Sequence, residues 1–136
     1  MRLDFLDSNI IVYANDGRDP VKQRRALDLI GEALRAGTGV ISTQVLQEYA
    51  NVAMGKLGQR QDVVLRQLLL LENLQVVSQT PALVRRAVEL SGLYKITFWD
   101  AAIVAAAESH GCTRILSEDL NTGQFYGGVL VVNPFV

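Results

Sequence analysis

Short apolar runs of strand length alternate along this chain with segments of helix length, and that alternation restricts the fold more than any other feature. Parallel strands cannot be joined by tight turns. They need crossovers, which helices supply. The pattern predicts strands over residues 3–7, 39–42, 74–78, 114–117 and 129–132. It predicts helices over 9–14, 21–36, 43 to about 55, 61–72, 81 to about 93, and 97–110. The expected fold is therefore α/β, with about five strands in a mostly parallel central sheet and helices on both faces.

Local chemistry supports these boundaries. Asp16-Gly17-Arg18-Asp19-Pro20 is turn-forming, with Pro20 placed to open the next helix, and Gly37 stops it. Within 21–36, Ala26, Leu29, Ile30, Ala33 and Leu34 share one side while Arg24, Arg25, Asp28, Glu32 and Arg35 lie opposite. Ser42 or Thr43 can cap one helix and Thr80-Pro81 opens another. The segment from Phe98 to Ala107 is apolar all round apart from Asp100, so that helix is expected to be buried.

A chain of 136 residues fits one domain with one core, and there is no internal repeat or linker. With 49% hydrophobic and 20% charged residues, composition argues against disorder and against a disulfide scaffold. Thirteen Lys and Arg against 14 Asp and Glu give a net charge of -1, so the molecule as a whole exerts no pull on polyanions. Nucleic-acid binding would need a local patch or a bound metal. One cysteine, Cys112, cannot form an internal disulfide, Asp4 and Asp7 interrupt what a signal peptide would keep apolar, and no apolar run is long enough to span a bilayer. A cytoplasmic protein without a membrane segment is expected.

In open α/β sheets the ligand crevice lies at the carboxyl ends of the strands. Asp7 ends the first predicted strand, Asp119 follows the fourth, Asp100 is in the first turn of the helix from residue 97, and Glu48 borders the apolar arc of Val45, Tyr49 and Val52. Each acid has an ordinary explanation. Asp100 completes a T-x-x-D capping box with Thr97, Asp7 is a turn residue, Glu48 a surface acid, and Asp119 an Asx-turn residue before Asn121-Thr122-Gly123. Together they read differently, because carboxylates converging on one crevice repel by several kcal/mol unless a cation neutralises them. An all-oxygen donor set without His or Cys suits Mg²⁺, and no zinc site is available.

Other chemistries lack their residues. His110 is the only histidine and sits at a helix end, so paired-imidazole catalysis is excluded. Gly-rich phosphate loops and G-x-S-x-G are absent, and Cys112 has no evident base and reads as a small buried hydrophobe. The clusters Lys22-Arg24-Arg25, Lys56-Arg60 and Arg85-Arg86 read as solvated mixed-charge helix faces.

Four blocks, residues 5–13 (FLDSNIIVY), 42–48 (STQVLQE), 98–103 (FWDAAI) and 116–120 (LSEDL), with the closing VVNPF, resemble the PIN-domain nucleases, and more narrowly the VapC-type toxins. The resemblance covers nearly the whole chain and implies a three-layer α/β/α fold. It further implies a metal-dependent endoribonuclease in which Asp7, Glu48, Asp100 and Asp119 hold Mg²⁺ or Mn²⁺, with Ser8, Asn9 and Ser117 in supporting positions. Glu118 neighbours Asp119 and is the competing choice for the fourth acid. The implied partners are an RNA substrate, a cognate antitoxin and a second copy of the chain. Two rival readings keep the same fold: a non-catalytic RNA- or protein-binding module, and a PIN nuclease of RNA maturation that has no antitoxin.

Overall fold

The computed structural model describes residues 2–136. In chain order the elements are β1 (Asp4–Leu6), α1 (Ser8–Ala14), α2 (Pro20–Ala36), β2 (Gly39–Ser42), α3 (Thr43–Met54), α4 (Gln61–Leu71), β3 (Gln75–Val77), α5 (Pro81–Tyr94), α6 (Phe98–Ser109), β4 (Arg114–Leu116), β5 (Phe125–Tyr126) and β6 (Val129–Val132). The six strands form one sheet in the order β3-β2-β1-β4-β6-β5. All pairings are parallel except that of β5 with β6. Helix α1 packs against both α2 and α3, α3 against α4, and α5 pairs with α6, giving the expected three-layer α/β/α arrangement.

The sheet has six strands rather than about five. The extra one, β5, is only two residues long and shows no periodicity to read. Its signal is the Gly127-Gly128 pair, with φ of 57° and 88°, which makes the two-residue turn of a β5–β6 hairpin. A smaller difference concerns Asp7, which lies just past β1 and N-caps α1 instead of ending the strand.

Two features bring the acids to one edge. From β1 the chain moves outward to β2 and β3, then returns to place β4 on the other side of β1, so the topological switch falls between β1 and β4. Segments following those two strands therefore flank the crevice. The second feature is α6, whose end leads into β4 at the amino edge of the sheet. A 12-residue helix spans about 18 Å, which carries its start back to the carboxyl edge. Residues 101–107 are all buried, and the alanines among them let α6 lie close against β2, β4 and β6.

The amino edge is closed differently. Asp4 and Arg114 are partners in the β1–β4 register and form a two-pronged ion pair, with Nε to Oδ1 at 2.9 Å and an Nη to Oδ2 at 2.7 Å. Gly39 opens β2 where a Cβ would meet Leu74 Cδ2 at 2.7 Å and Ala33 Cβ at 2.8 Å, so packing rather than backbone freedom demands glycine there. His110 caps the end of α6 at the surface, and Cys112 is buried, with desolvation pushing its thiol to about 12 and Asp4 adding to the rise. Neither takes part in a site. Among the described residues no helix is long and apolar enough to cross a membrane.

Candidate active site

Asp7 is the most buried acid of the chain, at 3% exposure. One carboxylate oxygen accepts the Ser8 backbone N–H at 2.7 Å and the other accepts the Ser117 hydroxyl at 2.7 Å. These bonds favour the charged form, yet burial outweighs them, and the fields of Asp119 and Glu48 add to it. The carboxyl is pushed up from 3.8 to about 6.

Ser117 is a junction. Besides donating to Asp7, its Oγ accepts from Asn9 Nδ2 at 3.3 Å and from the Asp119 backbone N–H at 3.1 Å. Asn9 also donates to Asp119 Oδ2 at 3.2 Å and accepts the Glu118 N–H at 3.3 Å. The first turn of α1 thus fixes the loop after β4, and with it the position of Asp119.

Glu48 and Asp100 approach from α3 and α6. Burial is the main reason that both are raised above the ordinary carboxylate range. Glu48 is raised further by Asp100 and Asp119, while Ser8 and Gln44 oppose the rise; Asp100 is raised by Asp119 and lowered by Thr97. Thr97 does cap α6, its Oγ1 accepting the Asp100 N–H at 3.2 Å. Capping and participation in the cluster are compatible, because the cap uses the Asp100 backbone.

Asp119 links the four acids: its field reaches Asp7, Glu48 and Asp100, Glu48 also acts on Asp7 and Asp100 on Glu48, whereas no field of Asp100 is felt at Asp7; Glu118 stands apart from them. Glu118 is ion-paired with Lys22 and accepts the Tyr13 hydroxyl at 2.6 Å. Burial works to raise its pKa, but the Lys22 and Tyr13 bonds prevail and leave it below the usual range. Lys22 is consequently not part of a solvated face: its ammonium also lies 4.7 Å from the Tyr13 ring centroid. The cause is the fold itself, which carries Glu118 over the start of α2. As placed, no three His, Cys, Asp or Glu side chains among the described residues converge closely enough to hold a metal ion by themselves.

Gln44 is a site residue that the sequence pattern does not single out. It is buried at 4% exposure and its Nε2 donates to the Trp99 carbonyl at 3.0 Å, tying α3 to the first turn of α6. The available signal is its i,i+4 spacing from Glu48, which puts both on one helix face.

Carboxylates that follow the strands on either side of the switch point, in a small doubly wound α/β domain, define the class of protein. The PIN domain model matches residues 5–126, and the chain belongs to that family. Among curated proteins none matches the sequence significantly. Among solved structures, a toxin-antitoxin complex from Klebsiella pneumoniae is similar at 27% identity and a TM-score of 0.70, covering 96% of this chain and 97% of that one. VapC20 of Mycobacterium tuberculosis, a toxin that cleaves the sarcin-ricin loop, shares the fold at 20% identity and a TM-score of 0.70, over 85% of this chain and 91% of its own. DNA-bound VapBC2 from Rickettsia felis shares it at 16% identity and 0.69, over 95% and 96%. The resemblance carried by the four sequence blocks is thus borne out for fold and family.

Proposed function

We propose that this chain is a metal-dependent endoribonuclease and the toxin of a toxin-antitoxin pair. The observation that carries the reading is the buried Asp7, raised by desolvation and by neighbouring carboxylates, with no cation among its hydrogen-bond partners. Uncompensated charge of this kind at a strand-end crevice calls for a positive ligand.

The donor set fits Mg²⁺ or Mn²⁺. All four candidates are carboxylates, and Mg²⁺ asks for only one or two of them, with waters and substrate phosphate completing its shell, so three converging side chains are not required. Asp7, Asp100 and Asp119 would hold the ion directly or through water, with Glu48 completing the cage. When bound, the metal would supply a water of lowered pKa and neutralise charge on the attacked phosphate.

The chain's own residues have the other tasks. Ser8 and Ser117 hold the Asp7 carboxylate in one orientation. Asn9 holds Asp119 against the same hydroxyl, and Thr97 orders the turn that carries Asp100. No side chain replaces the metal in activating water, since His110 is engaged with Gln75 away from the acids. In-line attack by water leaves a 5′-phosphate and a 3′-hydroxyl. The Klebsiella neighbour, a toxin-antitoxin complex, supports the toxin assignment and a cognate antitoxin partner. The proposal extends this to an antitoxin that covers the crevice, a homodimer and a cytoplasmic setting.

The test is incubation of cellular RNA with antitoxin-free protein and with Asp100→Asn, with and without EDTA, followed by mapping of product ends. Cleavage by the wild type alone, abolished by EDTA, is expected. Cleavage persisting in EDTA, or 2′,3′-cyclic phosphate ends, would overturn the hydrolytic mechanism; absence of cleavage under every metal condition would overturn the nuclease reading.

A further inference from the structure

Glu48 lines a cavity of about 280 Å³ together with Gln44, Gln47, Asn51 and Trp99. Trp99 is the only tryptophan of the chain and is 64% exposed. Its ring meets Phe98 edge-on, with centroids 5.1 Å apart at 81°, and its carbonyl is held by Gln44. The indole is thus an aromatic face carried on ordered backbone and left open to solvent beside Asp100. Gln47 and Asn51 are exposed on α3, one turn apart, and their amides have no hydrogen-bond partner among the described residues.

This lining has a definite chemical preference. No Lys or Arg contributes to it, so it is not built for a phosphate, which requires cations. A flat aromatic face flanked by free amides matches an unpaired nucleobase, which stacks through its π-face and presents donors and acceptors along its edge.

We propose that this cavity is the base-binding subsite of the RNA substrate, with an unpaired nucleobase next to the scissile phosphate stacked on Trp99 and its edge hydrogen-bonded by Gln47 and Asn51. The inference rests on the ribonuclease reading and adds the element that selects which single-stranded segment enters the crevice.

A lone tryptophan makes the test direct. The cleavage-deficient Asp100→Asn protein, with Mg²⁺, is titrated with a short single-stranded RNA oligonucleotide carrying a fluorescent label. Anisotropy reports binding, and indole emission from an unlabelled oligonucleotide reports stacking. Saturable quenching that follows the binding curve is expected. In the same background Trp99→Leu should weaken binding about tenfold or more and Trp99→Phe much less. In the otherwise wild-type protein, Trp99→Leu should raise KM and leave kcat near its original value. Binding without quenching, or unchanged affinity in Trp99→Leu, overturns this subsite while leaving the ribonuclease reading intact. Failure of the Asp100→Asn protein and the wild type to bind any RNA overturns both. Conversion of a dimer to a monomer by Trp99→Leu, read by light scattering, assigns the surface to self-association and also overturns the subsite.

Discussion

Asp7→Asn should make the protein more stable at neutral pH in EDTA, even though it removes a candidate active-site acid. The Asp7 carboxyl binds its proton more tightly in the folded chain, at about 6, than in the unfolded chain, at 3.8. Between these values the folded state carries more protons than the unfolded one, so stability falls as pH rises through that window and the full cost is present above it. At ~1.36 kcal/mol per pH unit, the cost approaches about 3 kcal/mol. Asparagine carries no charge and avoids it. In return, its amide nitrogen cannot accept the Ser117 proton, and Ser117 Oγ already receives two N–H groups, a loss of about 1 kcal/mol. The net gain is about 2 kcal/mol. With a urea dependence of ~2 kcal/mol per molar, the midpoint at pH 7.5 should rise by about 1 M. At pH 4 most of the gain should be gone, because wild-type Asp7 is then protonated in the folded state. A variant midpoint below wild type at pH 7.5, or the same offset at both pH values, would refute the reasoning.

Gly39→Ala should lose about 1–3 kcal/mol in chemical denaturation, because the added methyl meets Ala33 and Leu74 inside contact distance and Ala33 cannot turn aside. Arg114→Ala should cost about 1–2 kcal/mol by removing both prongs of the Asp4 ion pair, with no effect on nuclease kinetics at the opposite sheet edge. Asp119→Asn should reduce RNA cleavage by about a hundredfold or more, whereas Glu118→Gln, which only loosens the Lys22 and Tyr13 contacts, should cost no more than about tenfold; a reversed order would exchange their roles.

The parts of the molecule legible in the sequence are those written in local pattern. Ala101 to Ala107 announce a buried helix because nothing polar interrupts them, and alternating elements announce a parallel sheet because no other connection is open to them. The strand-end rule then selects Asp7, Asp100 and Asp119 as acids sharing one edge. What pattern does not carry is long-range pairing. Lys22 shares a run with Arg24 and Arg25, and only the path of the chain after β4 turns it toward Glu118. Gln44 has the same difficulty, since its partner is a backbone carbonyl on another helix. Strand β5 escapes because two residues are too few for a period, although the glycine pair beside it marks the turn.

Ser117 joins Asp7 and Asn9, which lie 110 and 108 positions earlier in the chain, to the Asp119 backbone through a single oxygen. Such a junction has no half-assembled form. Local opening of the segment after β4 would release the Asp7 carboxylate, the Asn9 amide and the Asp119 loop together, so the candidate site is lost in one event rather than piece by piece. Order at the candidate site then follows the local equilibrium of that one segment, so a chain in which it is cut or opened would lose the whole arrangement even while the rest of the fold stands.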